Sequence, residues 1–174
     1  MIYSVECSYS DPASEAEWND FYSRQKLPAL VSVRGFFSSQ RFKALSAGCP
    51  VYLALHSIGH ADVLNSADYR EKGGGNFARW QPYISDWHRN VYDGTPAAPA
   101  VSMDQYLVIS AVGPAPLLQL GLTPQSLQAV ALDRSPAQRW LATLPGSHAP
   151  SPVALPPGVY LYAPMAPQLT PAAT

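Results

Sequence analysis

From residue 2 to residue 58 the chain spells three strand-like segments around one helical segment, an order of βαββ that few folds accommodate. Residues 2–8, Ile-Tyr-Ser-Val-Glu-Cys-Ser, alternate apolar and polar side chains, the pattern of a half-buried strand. Ser14 stands three positions before Glu17, the spacing of a capping box, and Trp18, Phe21, Tyr22 and Gln25 come after it at helical intervals. Pro28 disfavours the helical conformation at Leu27, so this helix is predicted to end near Lys26. Gly35 opens a second strand that continues to Lys43, and Pro50 precedes a third, Val51–Ile58. On the third strand Tyr52, Ala54 and His56 share one face, and Val51, Leu53 and Leu55 share the other.

Ser66–Lys72 reads as a short helix that runs into Gly73-Gly74-Gly75, a turn signal, and Asn76 is placed to cap the next segment. Phe77, Trp80, Ile84, Trp87, His88 and Val91 fall on one helical face, with Pro82 dividing that segment into a turn and a helix. A fourth strand has room in the connections. Beyond a Pro- and Ala-rich stretch, strands are predicted at Tyr106–Val112, Leu127–Leu132 and Val159–Tyr162, with helices at Leu117–Leu122 and Ala137–Leu144. The element order of the second half echoes the first without any residue-level repeat. The predicted boundaries are 1–93 for the first half, 94–103 for a linker, 104–164 for the second half and 165–174 for a flexible tail.

Composition removes several classes of function. With a net charge of −1 and scattered Lys and Arg, the chain lacks the footprint of a nucleic-acid binder. No apolar run approaches the ~20 residues that span a bilayer, and the N-terminus has neither the basic start nor the apolar stretch of a signal peptide. A cytoplasmic protein without membrane contact is expected. Cys7 and Cys49 are too few for a disulfide scaffold or a cysteine metal site. Apolar residues make up 47% of the chain and charged ones only 13%, so some apolar surface is expected against another subunit or around a cavity.

The run Glu17-Trp18-Asn19-Asp20-Phe21-Tyr22-Ser23-Arg24-Gln25-Lys26-Leu27-Pro28, then Gly35-Phe36 and Arg41-Phe42, resembles EthD-type proteins of the dimeric α/β-barrel superfamily. In that family an aromatic-rich first helix ends in a His-x-Pro step and a Gly-aromatic pair opens the second strand. Here the step is Lys26-Leu27-Pro28, with lysine in the histidine's place. Phe77-Ala78-Arg79-Trp80-Gln81-Pro82 is similar to the aromatic region after the family's third strand, so the resemblance spans residues 1–92. It implies an α+β fold, a ferredoxin-like α/β barrel of two unequal βαββ-type halves. The second sheet would come from another subunit of a homodimer or from residues 104–163 of the same chain, and closure would remove exposed strand edges. The family's small enzymes usually need no metal or organic cofactor, and they include cyclases, isomerases, decarboxylases and oxygenases. Fold analogy does not choose among them.

Each candidate residue carries a functional and a structural reading. His56, among aromatics on a sheet face, could act as general base or acid, or be a hydrogen-bonded wall residue. Lys26 could be a base or bind an anionic group if buried, or simply complement a helix C-terminus. Arg41 could grip a carboxylate or make a structural ion pair. Tyr22, Tyr52, Tyr83, Trp80, Trp87 and His88 could line a pocket for a flat apolar ligand, or be core. His56 and His60 have the four-residue spacing of paired ligands on a helix, but they lie in a strand, where that spacing separates them, so no metal site is expected. No phosphate loop, dinucleotide fingerprint or Gly-x-Ser-x-Gly elbow is present. The expected function is cofactor-independent proton transfer (isomerisation, cyclisation or decarboxylation) on a small aromatic or polyketide-like metabolite. The alternatives are a non-catalytic binding or accessory protein for a hydrophobic metabolite or a partner enzyme, and a haem-binding barrel.

Overall fold

The alternating N-terminal segment forms strand β1 (Ile2–Tyr9) in the computed structural model, which describes residues 1–73 and 77–172. Both of its faces are covered, where alternation predicted one. Ile2, Ser4 and Glu6 point into a barrel lumen, while Tyr3, Val5 and Cys7 lie beneath helices on the outside. The remaining strands are β2 (Phe36–Ala44), β3 (Tyr52–Ile58), β4 (Ile84–Asp93), β5 (Gln105–Ser110), β6 (Gln125–Leu132), β7 (Gln138–Pro145) and β8 (Val159–Pro164). They close into one antiparallel barrel in the order β1-β3-β2-β8-β5-β7-β6-β4. The sheet that completes the barrel thus comes from the same chain.

Each half uses the same order, its first strand lying between its fourth and its third. The halves are stitched at two seams, where Phe42–Ala44 of β2 pairs with Tyr162–Pro164 of β8, and Asn90–Asp93 of β4 pairs with Gln128–Leu132 of β6. Eight strands leave an interior that side chains can fill. Ile2, Phe42, Leu53, Leu55, Tyr92, Leu107, Ile109 and Tyr162 fill it here.

Two segments predicted as helices are strands. Phe77–Val91 holds only a 3-10 turn, Ala78–Tyr83, before β4 begins, and Ala137–Leu144 belongs to β7. In both, apolar side chains stand on the two faces of a strand covered on both sides. Leu141 enters the lumen while Ala142 and Leu144 pack outside. Double-sided burial erases the period of two, and the remaining apolar spacings mimic a helix.

Pro28 does not end the first helix. Helix α1 (Glu15–Phe21) passes through a π-turn, Tyr22–Lys26, directly into α2 (Leu27–Val31). The Leu27 N–H donates to the Tyr22 carbonyl, five residues back. Widening the turn just before the proline makes room for its ring and accommodates the missing donor. The capping box does not form either: Ser14 Oγ contacts Asp11 and the Tyr9 hydroxyl, and Glu17 pairs with Arg79. Ser66 does cap α3 (Ala67–Lys72), accepting from the Tyr69 N–H at 3.0 Å. Gly74, Gly75 and Asn76 lie outside the described residues. In the second half the short helix α4 (Ala115–Gln119) covers the sheet through Leu117.

The Pro- and Ala-rich segment after β4 plugs one end of the barrel. Ala98 and Val101 are buried there, held by Ser57 Oγ at 2.9 Å and by a two-way bond between Val101 and the Gln40 amide at 2.7 and 3.0 Å. The C-terminal segment is tied to β2, where Ser39 and Leu169 exchange backbone hydrogen bonds of 2.9 and 2.8 Å. Among the described residues no helix is long and apolar enough to cross a membrane.

Candidate active site

Strand register sets the outward face of the first half. One row across β2, β3, β1 and β4 brings together Ser39, His56, Tyr3 and Val91, and the next brings together Arg41, Ala54, Val5 and Arg89. The helices add Tyr22 and Lys26 from the π-turn and Tyr69 from α3, while Phe77 and Trp87 close one side. Between sheet and helices lies a cleft lined by Tyr3, Tyr22, Lys26, Tyr69, Phe77, Trp87 and Arg89. Its volume is about 10 Å³, room for roughly one water.

Polar groups converge on this cleft from both layers. The hydroxyls of Tyr3 and Tyr69 stand 3.2 Å apart, and burial holds the Tyr3 pKa well above that of a free phenol. The Tyr3 hydroxyl therefore stays protonated. Lys26 Nζ stands 5.3 Å over the Phe77 ring, and burial lowers its pKa. Arg89 makes no ion pair with a described residue, and its charge partly offsets the effect of burial on Tyr3.

His56 stands one strand over from Tyr3 on the same sheet face, outside the cleft lining. Its ring is fully buried, with Nδ1 2.7 Å from Ser39 Oγ and the Tyr3 ring 5.3 Å away. Nε2 is sealed and finds no hydrogen-bond partner among the described residues. Burial pushes the pKa down to about 3, so the imidazole is neutral near pH 7 and Tyr3 separates it from the cleft. A haem would need an open axial ligand there. No histidine lines the cleft and its space is far too small, so these residues do not fit haem.

Arg41 is committed to the protein. Its guanidinium carbon sits 4.1 Å from the Tyr22 ring, 5.1 Å from Trp18 and 5.4 Å from Tyr52. Its nitrogens donate to the Asn19 carbonyl, Asn19 Oδ1 and Ser23 Oγ. Tyr52 donates to Glu15 and accepts from Asn19 in the same layer, and burial raises its pKa to about 12. Trp80 packs at a tilt against Phe21, and Tyr83 is 41% exposed beside Tyr9, outside the cleft. His88 lies on β4 rather than on a helix, and strand alternation turns it to the lumen side, opposite Trp87. Of the residues singled out from sequence, the fold therefore brings Tyr22, Lys26 and Trp87 to one cleft. Tyr3, Tyr69 and Arg89 complete it. Their signal was faint: only the alternation of β1 hinted that Tyr3 shares a face with Val5 and Cys7.

Among the described residues no group of three or more His, Cys, Asp or Glu could hold a metal ion. No family model and no curated protein matches the sequence. Solved structures do share the fold. A candidate monooxygenase from Lactobacillus acidophilus NCFM aligns over 99% of this chain and 97% of its own, with a TM-score of 0.52 and 8% identity. An anthrone oxidase-like protein aligns over 99% of this chain and 95% of its own, with a TM-score of 0.51 and 10% identity. At such identity the likeness speaks for fold alone, an α+β fold whose eight-stranded antiparallel barrel closes here within one chain.

Proposed function

We propose that this chain is a cofactor-independent enzyme of EthD-like, doubled ferredoxin-like build that binds a small anionic aromatic molecule beneath the first-half helices and moves a proton on it. The observation that carries this reading is the composition of the cleft: aromatic walls, two cations, Lys26 and Arg89, and no carboxylate. Aromatic faces suit a flat ring, and cations in a poorly solvated cleft favour an anionic group on it. Of the paired Tyr3 and Tyr69 hydroxyls one donates to the other, and the second proton is the donor for an oxygen that gains charge as the proton leaves. Arg89 holds the anionic group through the proton transfer, and Lys26, whose lowered pKa raises its neutral fraction, takes that proton in its neutral form. His56 positions Tyr3 through ring contact and stays neutral. The anthrone named for one structural neighbour is an aromatic ketone whose deprotonated form is electron-rich, and this cleft has the groups for such a deprotonation.

Because the cleft holds about one water, a ligand must displace an aromatic wall, Phe77 or Trp87. The test is titration with 2-naphthoate followed by tryptophan fluorescence, the Trp87 part identified as the part lost in Trp87→Phe, with 2-naphthamide as the neutral control. Saturable quenching is expected, weakened about tenfold by Lys26→Ala or Arg89→Ala, equivalent to about 1.4 kcal/mol. With anthrone, exchange of its CH2 protons with solvent deuterium is followed by NMR, which reads the proton-transfer step itself. Tyr3→Phe and Lys26→Ala are expected to slow turnover by about 10²-fold. Failure of both ligands to bind sinks the proposal. The filled cleft favours one rival, a non-catalytic binding or accessory protein, which predicts binding without turnover.

A further inference from the structure

The lumen end opposite the Ala98–Val101 plug is not filled. Glu6 from β1 and Arg139 from β7 reach across it and meet at 2.7 Å, although their strands are not neighbours in the barrel. Glu6 is buried at 5% side-chain exposure, and Arg139 is partly buried at 13%. Above them lies a recess of about 300 Å³ walled by Cys49, Pro50, Ala111, Pro136, Tyr160 and His88. That size reaches the lower end of small-molecule sites, roughly 300–1,000 Å³.

The ion pair leaves part of its capacity unused. Glu6 Oε2 accepts from Arg139 Nη2, but Glu6 Oε1 and Arg139 Nη1 bond to no described residue and are not sealed. Arg139 Nε is sealed and without a partner among the described residues. A buried polar atom left so is uncommon and calls for an explanation. The recess therefore offers one strong acceptor beside strong donors, with no net charge from the pair.

The geometry points to this mouth as a second ligand site, one that takes a small uncharged molecule carrying an N–H beside a carbonyl, such as a lactam or an imide. Its N–H donates to Glu6 Oε1, its carbonyl accepts from the Arg139 guanidinium, and both bonds are charge-assisted. An anion would face the Glu6 carboxylate, and a cation would face Arg139. Proline, alanine and tyrosine walls suit a compact ring.

The experiment uses the full chain with ¹⁵N-labelled arginine and reads the Arg139 Nε–H resonance, assigned by its loss in Arg139→Met. Titration with 2-pyridone is expected to shift this resonance saturably. Benzoate and benzamidine should shift it about tenfold less at equal concentration. Ala111→Phe, which fills the recess, should abolish the 2-pyridone shift while leaving the free resonance in place, and Cys49→Leu tests the same point from the opposite wall. Lys26→Ala should leave the 2-pyridone shift of this resonance unaltered, since Lys26 lines the helix-side cleft and not this recess. No shift with 2-pyridone, an equal shift with benzoate, or a shift that survives both filling substitutions overturns the proposal.

Discussion

The neutral, sealed imidazole of His56 makes a quantitative demand on acid stability. The ring is fully buried beside Tyr3 and Phe36, and burial carries its pKa from 6.5 down to about 3. Above the unfolded pKa neither state holds the proton, so the group adds no pH dependence there. As pH falls below it, the unfolded chain is protonated while the folded chain is not, and stability drops until pH reaches the folded pKa. Between ~pH 7 and ~pH 4.5 this spans about two pH units at about 1.36 kcal/mol each, a loss of about 2.7 kcal/mol from one residue. His56→Gln removes the titration. Urea unfolding of both proteins at the two pH values isolates the effect, because the fixed cost of burying glutamine cancels in the difference. The wild type should lose about 2.7 kcal/mol more than the variant on acidification. Equal losses would mean that His56 accepts a proton in the folded state, and the case for its neutral, positioning role would collapse.

Two further predictions address the charged groups inside the fold. Arg139→Met leaves the Glu6 carboxylate buried without its partner and should cost about 3–5 kcal/mol, a fall in Tm on the order of 10 °C by thermal unfolding. Adding Glu6→Met should recover most of that loss, since two apolar side chains replace two desolvated charges; no recovery would argue against the pairing. Arg41→Lys keeps the charge but loses the planar fork between Tyr22 and Asn19, and should cost about 2–3 kcal/mol in urea unfolding. A cost below about 0.5 kcal/mol would show that Arg41 is not held as described.

Local pattern carried far where one neighbour decides the structure. The facing of Tyr52, Ala54 and His56 on β3, the short helix read at Ser66–Lys72 and the second strand opening after Gly35 all obey short-range rules, and all are found. Pattern misled where two neighbours decide. Trp87 and His88 looked like one helical face, yet they sit on opposite faces of β4, because pairing with β1 and β6 supplies the hydrogen bonds a helix would have made internally. The π-turn before Pro28 likewise answers to packing, since it swings Lys26 towards Phe77.

The candidate cleft divides in the same way. Tyr22, Lys26 and Trp87 stood out because a resemblance and an aromatic spacing drew attention to them. Tyr69 and Arg89 did not, since each is an ordinary residue until register and helix docking set it beside Tyr3. Glu6 and Arg139 are 133 positions apart and meet only because the barrel closes. The βαββ order, the strand faces and the aromatic load of the first half were legible in the residues alone, because those depend on neighbours a few positions away. Which strands pair, that the barrel closes within the chain, and which charges face one another were settled by tertiary structure, because those depend on contacts that local sequence does not encode.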